Sequence, residues 1–236
     1  MWDNPRQLNA AANLLAGLTA LLLAYAGLQL LLRSPLFPVT EIVVRGPLKN
    51  AERGDIEAAL KGLGGNFFAV DLAAVRVRLE QVPWVRRVDV RRVWPDRIEA
   101  GVEEHVAFAR WGDEALVNTF GEKFLGKSNE SLPIFTGPQG SEGELTRRYR
   151  RFVELLAPLG EAPERVILTP RHAWQLRLAS GLNLELGRDA AEPVEQRLAR
   201  FVAAYPDSLA RLGRRFEHVD LRYPNGFALR VAGLKG

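Results

Sequence analysis

Residues 83–105 read PWVRRVDVRRVWPDRIEAGVEEH. Two Arg-Arg pairs stand among valines, and Trp94-Pro95-Asp96 interrupts the run. Its β-branched content favours strands over 85–93 and 97–106, joined by a three-residue turn at 94–96. Pairing the strands across that turn sets Arg91 opposite Glu99, Arg87 opposite Glu103, Val90 opposite Ala100 and Val88 opposite Val102. One face is then apolar and the other carries opposed charges. A slip of two residues would set Asp89 against Glu103, so the charges help to specify register. Residues 85–104 hold five arginines and five carboxylates and are neutral as a set. A phosphate-binding surface needs uncompensated basic side chains, with exposed aromatics between them where single strands are bound. No nucleic-acid partner is therefore expected. Arg86, Arg92 and Arg97 face no carboxylate in this register. Any contact by the hairpin is expected to use those three, with a protein or a lipid headgroup as partner.

Upstream, TEIVVR at 40–45 reads as a strand stopped by Gly46-Pro47. Asn50 is the candidate N-cap of a short helix over 52–60, with Ile56, Ala59 and Leu60 on one face. Gly62, Gly64 and Gly65 form a turn, and no Lys-Ser/Thr follows to make a phosphate loop. Asp71 caps a second helix through Gln81, which Pro83 ends. Residues 39–106 thus form a β-α-α-β-β unit with both helices on one face of a three-stranded sheet.

From Gln7 to Leu32 the chain carries no charge, and Arg6 and Arg33 bracket the stretch. In helical geometry it exceeds the roughly 30 Å hydrocarbon core of a bilayer. A cleaved signal peptide is the rival reading, with Ala24-Tyr25-Ala26 as its cleavage site. The continuing Leu28 and Leu30 to Leu32 favour an uncleaved anchor. Flanking charge does not set the orientation. With so few residues before the span, little recruitment signal is expected there, and the working part is expected in 34–236.

Past residue 107 the pattern changes. Residues 108–111, 116–118 and 123–125 read as short strands. Ser141 and Glu144 form a capping box opening a helix to about Leu159. Its Arg147, Arg148, Arg150 and Arg151 are expected on a solvated face. A strand over 165–168, a hairpin over 174–186 around Ser180-Gly181, and a helix over 193–205 follow. The chain closes with HVDLRYPNGFALRV. Asn225-Gly226 signals a tight hairpin, and Phe227–Val231 is expected to be a sheet edge open to strand addition.

With 47% hydrophobic and 25% charged residues the composition is that of an ordinary folded protein. Twenty-seven of the 32 basic residues are arginine, and the net charge is only +4. The absence of cysteine excludes disulfides, thiolate metal sites and cysteine nucleophiles. His105, His172 and His218 have no metal-ligand spacing, and no Gly-x-Ser-x-Gly or His-Glu-x-x-His occurs. Neither an enzyme nor a cofactor is expected.

Five segments carry a family pattern in order: FPVTEIVVRG at 37–46, LEQVPWVRRVDVRRVWPDRIEAGVEEHVAFARW at 79–111, RHAWQLRLASGLNLELGR at 171–188, RLARFVAAYP at 197–206 and HVDLRYPNGFAL at 218–229. The β-α-α-β-β unit resembles a POTRA (polypeptide-transport-associated) domain, and the whole chain resembles the FtsQ/DivIB cell-division family. The resemblance implies an α+β fold with a single N-terminal transmembrane helix, a POTRA domain, and a mostly antiparallel β domain with two to three helices. The implied boundaries are 1–33, 34–107 and 108–236. It implies a bacterial inner-membrane protein with a cytoplasmic N-terminus, its bulk in the periplasm, at the division septum. Such proteins are non-enzymatic scaffolds of the divisome, linking early cytoplasmic division proteins to septal peptidoglycan synthesis. The implied partners are the FtsB and FtsL coiled-coil subunits, bound by strand addition, and other divisome membrane proteins. By resemblance the contacts fall on Arg171, Arg222, Tyr223, Asn225, Gly226 and Phe227. Family contacts made beyond the last strand have little sequence here to make them. The alternatives are a POTRA-bearing chaperone-like component of a translocation or outer-membrane assembly system, expected to show repeated POTRA units or a barrel, and an anchored envelope enzyme.

Overall fold

The computed structural model describes residues 5–34, 36–190, 192–206, 216–224 and 226–231. Pro5–Arg33 form a single α-helix, α1. Its apolar stretch Leu8–Leu32 is 25 residues long, with none of it buried in the protein. At 1.5 Å per residue it spans about 38 Å, enough to cross a bilayer. It runs unbroken through Ala24-Tyr25-Ala26.

The chain divides into two compact units, Met1–Glu104 and His105–Gly236. In the first, α1 is followed by β1 (Glu41–Arg45), α2 (Arg53–Leu60), α3 (Leu72–Glu80), β2 (Val85–Val93) and β3 (Arg97–Glu104). The sheet order is β1-β3-β2, with β1 parallel to β3. The β2–β3 register matches the one read from the sequence: Arg91 aligns with Glu99, Val90 with Ala100, Val88 with Val102 and Arg87 with Glu103. Ile56, Val75 and Leu79 of the helices pack against Val88, Val90, Ile98, Ala100 and Val102 of the sheet. Each fully buried Val, Leu or Ile contributes roughly 1.5–3 kcal/mol. An exposed ion pair contributes about 0–1 kcal/mol. The apolar face therefore holds the unit, and the charged face tunes it.

Three expectations for this unit are corrected. A β-bulge between Val85 and Arg87 turns Arg86, not Arg87, towards Glu103, at 2.7 Å. The three arginines without an opposed carboxylate all have internal partners. Arg86 takes Glu103, and Arg97 lies 3.5 Å from Glu41 of β1. Arg92 donates to the carbonyls of Phe67, Phe68 and Val70. None is a free docking cation. Asn50 does not cap α2. Glu52 holds the N-cap position with no side-chain bond, and the Glu104 carboxylate accepts the N–H groups of Lys49, Asn50 and Ala51. A carboxylate brought in from β3 thus serves the donors leading into the helix. Asp71 caps α3 as expected, accepting from Ala73 and Ala74.

The second unit holds β4 (Ala107–Trp111), β5 (Ala115–Asn118), β6 (Lys123–Leu125), β7 (Ile134–Thr136), α4 (Glu142–Leu156), β8 (Pro163–Leu168), β9 (Ala173–Leu178), β10 (Asn183–Arg188), α5 (Val194–Ala204), β11 (Phe216–Asp220) and β12 (Ala228–Val231). They form one nine-stranded sheet in the order β12-β11-β10-β9-β8-β7-β4-β5-β6. Five neighbour pairs are antiparallel, and three are parallel. Parallel neighbours need a crossover. Helices α4 and α5 supply two of these, between β7 and β8 and between β10 and β11. Phe135, Phe152, Trp174 and Phe201 are almost wholly buried between helices and sheet.

The capping box at Ser141 does not form. The Ser141 hydroxyl donates to the Pro138 carbonyl and makes no cap bond. The arginine face of α4 is also only partly solvated. Arg148 lies 4.8 Å from the Trp174 ring and pairs with Glu144, Glu195 and Asp189. Burial alone would raise the Asp189 carboxyl, but hydrogen bonds from Arg148 and from the Val194 N–H hold it below the usual range.

Candidate functional site

Among the described residues strand β12 stands at one end of the large sheet and has a single strand neighbour, β11. An end strand presents a row of backbone groups on its outer side. Topology also gathers the expected contact residues. Ala173, first in β9, aligns with Arg188, last in β10. Strand β10 runs parallel to β11. Asp220, last in β11, aligns with Ala228, first in β12. The β8–β9 turn carrying Arg171 and the connection 221–227 therefore lie at the same end of the sheet. Three strand spacings separate β9 from β12, about 14 Å.

The strands expected to flank Asn225-Gly226 directly stop short of it. Strand β11 stops at Asp220, and seven residues, 221–227, lead to β12. Asn225 lies outside the described residues. The physical reason is in Asp220 and its neighbours. Arg222 folds back on Asp220: its Nε and Nη2 reach the two carboxylate oxygens at 2.8 and 2.6 Å, and its N–H adds a third bond at 3.0 Å. The Leu221 N–H donates to the Glu185 carbonyl of β10. These bonds hold 220–222 to the β10 side, where β11 ends.

The Arg222 hydrogen bond holds the nearly buried Asp220 carboxyl below the usual range, against the opposing effect of burial. The same bond raises the Arg222 guanidinium. Arg222 keeps a half-exposed side chain even so. Gly187, at a bulge in β10, makes room for it. A Cβ there would stand 2.8 Å from Arg222 Cγ, and its φ of +76° already favours glycine.

Tyr223 is 54% exposed and is not a core residue. Its carbonyl accepts from Arg200 of α5 at 3.0 Å, which fixes the backbone while leaving the ring outside. Phe227 is half-buried, edge-to-face with Phe201 at 5.9 Å. Tyr223, Pro224, Gly226, Phe227 and Ala228 line one open groove. Arg171 is exposed in its turn. Asp220, Arg200 and Gly187 support the site and were not singled out from the sequence. The i, i+2 spacing of Asp220 and Arg222 was the one local signal available. Among the described residues no group of three or more His, Asp or Glu could hold a metal.

An end strand beside an exposed tyrosine and Arg222, with Arg171 at the same end of the sheet, suits a protein that docks an extended partner segment. This site sits on a chain with a membrane-crossing helix and a POTRA-type unit. A family model for the FtsQ-type POTRA domain matches residues 37–105. One for the C-terminal part of the cell division protein FtsQ/DivIB matches residues 109–222. The chain is 44% identical to the cell division protein FtsQ of Burkholderia pseudomallei over all of its own length and 96% of that protein. Its identity to the FtsQ of Nitrosospira multiformis is 43%, over 98% of this chain and 99% of the relative. The FtsQ of Escherichia coli is 34% identical, over 84% of this chain and 74% of the relative. The chain belongs to the FtsQ family of bacterial cell-division proteins. It is a single-pass membrane protein of the divisome, in a family of division scaffolds, and its partners are membrane proteins of that assembly. Kinship over the full length decides against the translocation-component alternative.

Proposed function

We propose that this protein is a non-enzymatic divisome scaffold that binds the FtsB/FtsL coiled-coil subunits by adding a strand to the open edge of β12. Its N-terminus lies in the cytoplasm, its bulk lies in the periplasm at the septum, and it links early cytoplasmic division proteins to septal peptidoglycan synthesis. The working division of labour is an anchor over 1–33, a POTRA domain over 34–107 for further membrane partners, and a β domain over 108–236 for the coiled-coil pair. The observation that carries this reading is the end position of β12 next to an exposed Tyr223. Backbone bonds along an added strand supply affinity, and the flanking side chains supply specificity. Tyr223, Gly226 and Phe227 form the apolar floor, with Asn225 in the same loop. Arg222 and Arg171 receive partner carboxylates.

The test is copurification of FtsB and FtsL with the full-length protein from its native bacterium. Tyr223→Ala removes the exposed ring. Leu229→Pro and Arg230→Pro form a pair, because successive N–H groups of a strand point to opposite sides and proline deletes one donor. Tyr223→Ala and one member of the proline pair are expected to lose the partners while circular dichroism stays native. Undiminished copurification in all three would reject strand addition. Regular septa and normal cell length after depletion would reject the divisome role.

A further inference from the structure

Beyond α1, the described residues of the first unit expose five large apolar side chains: Leu36, Phe37, Phe68, Val77 and Trp94. Four of them collect where the chain leaves α1. Asn66, itself buried, donates through Nδ2 to the carbonyls of Leu31 and Ser34 at 3.2 and 2.9 Å. That ties the 62–70 loop to the last turn of α1. The Asn66 Oδ1 accepts the Phe68 N–H at 2.8 Å. The Phe67 N–H donates to Phe37 O, and the Val39 N–H to Gly65 O. The rings of Phe37 and Phe68 meet edge-to-face at 5.4 Å.

The β2–β3 turn joins the same cluster. Strands β1 and β3 are parallel, and Glu41 aligns with Arg97, so the turn before Arg97 sits at the end where β1 begins. The Thr40 N–H donates to Asp96 O at 2.9 Å. From the last part of β2, Arg92 reaches the carbonyls of Phe67, Phe68 and Val70. Trp94, 80% exposed, therefore stands over the same end of the unit as Leu36, Phe37 and Phe68.

We infer that Leu36, Phe37, Phe68 and Trp94 form a rim that dips into the headgroup region of the bilayer crossed by α1, and that Asn66 pins the first unit against that surface. The bilayer is the occupant because the rim is continuous with the crossing helix: Asn66 holds the loop within hydrogen-bonding distance of Leu31, one residue from the end of the apolar stretch Leu8–Leu32. Aromatic side chains with a polar atom, Trp above all, favour the membrane–water boundary. The Leu31 carbonyl also accepts from the Ser34 N–H and hydroxyl, so Asn66 adds a bond that a helix end near lipid does not itself require and that serves to fix the loop against it. A unit hung on a loose tether would need neither feature.

The chain has no cysteine, so single nitroxide labels can be placed in the full-length protein. Phe37→Cys, Phe68→Cys and Trp94→Cys report on the rim, Val77→Cys on the surface away from it, and Leu21→Cys on the middle of α1. In vesicles of phosphatidylethanolamine and phosphatidylglycerol, power-saturation EPR compares collision with oxygen and with a water-soluble nickel chelate. Oxygen is expected to dominate at 37, 68 and 94, less strongly than at 21, and nickel at 77. Nickel-dominated values at 37, 68 and 94, with 21 in lipid, would overturn the rim alone. A nickel-dominated value at 21 would overturn the crossing helix and the rim with it. Asn66→Asp keeps the acceptor for the Phe68 N–H and deletes the bonds to Leu31 of α1 and to Ser34 just beyond it. It should shift the label at 68 towards nickel, and an unchanged reading would overturn the pinning.

Discussion

Strands β2 and β12 are both end strands, one in each sheet, and they treat their outer sides differently. Strand β2 is nine residues long and carries Arg86, Arg87, Arg91 and Arg92. Its Val88 N–H donates to the Glu80 carboxylate at the end of α3, 3.1 Å away. Arg91 pairs with Glu99, and Arg92 serves three carbonyls. Strand β12 is four residues long with one arginine. Among the described residues no side chain bonds to its backbone. Beside it stand an exposed tyrosine and an arginine already held in place by Asp220. Charges and side-chain caps close an edge, and β12, with a single arginine and no such cap among the described residues, lacks most of them. The arginine-rich strand, the more conspicuous in sequence, is the closed one.

The sharpest way to break this contrast is to make β12 resemble β2. Leu229→Lys is expected to weaken binding of the FtsB/FtsL pair at least a hundredfold, about 2.7 kcal/mol. The unfolding free energy should move by no more than about 0.5 kcal/mol, as for other exposed positions. Titration calorimetry and thermal unfolding would check the two halves. Arg92→Ala should do the reverse. Stripping three carbonyls of their donor costs about 2 kcal/mol, read as a lowered melting temperature of the first unit, with partner affinity unchanged.

Asp220→Asn tests the clamp beside the open edge. Because the folded carboxyl titrates below its unfolded value, its stabilisation is complete above about pH 4. It is lost as the pH falls further, through the folded value. The wild type should exceed the variant by about 1.5 kcal/mol at neutral pH, and the two unfolding curves should converge in acid. A constant gap would remove the ionised clamp from the picture. The smallest effect is expected for Arg91→Ala. Glu99 retains Arg45 at 3.0 Å, so under about 0.5 kcal/mol should be lost, and less in high salt.

The hairpin was legible because two signals agreed: a Trp-Pro-Asp interruption and alternation that puts valine opposite alanine or valine. What alternation could not show was the bulge at Val85, which hands Glu103 to Arg86. Nor could it show Glu104, which caps a segment more than fifty residues away in sequence. In the second unit the long strands and both helices were readable from period. Strand β7, at three residues, is too short to have one, and its parallel pairings rest on contacts remote in sequence. At the site, Arg222 and Tyr223 were legible through the family pattern. The early end of β11 was not, because it rests on the bonds of Arg222 to Asp220 and of Leu221 to Glu185, the second a contact remote in sequence.

Amide hydrogen exchange on the full-length protein, with and without the FtsB/FtsL pair, tests strand addition most directly, because it reads both edges in one experiment. Strand addition predicts slower exchange in 228–231 on binding, with 85–93 unchanged. Bound partner with no added protection in 228–231, or with protection appearing at 85–93 instead, would contradict it.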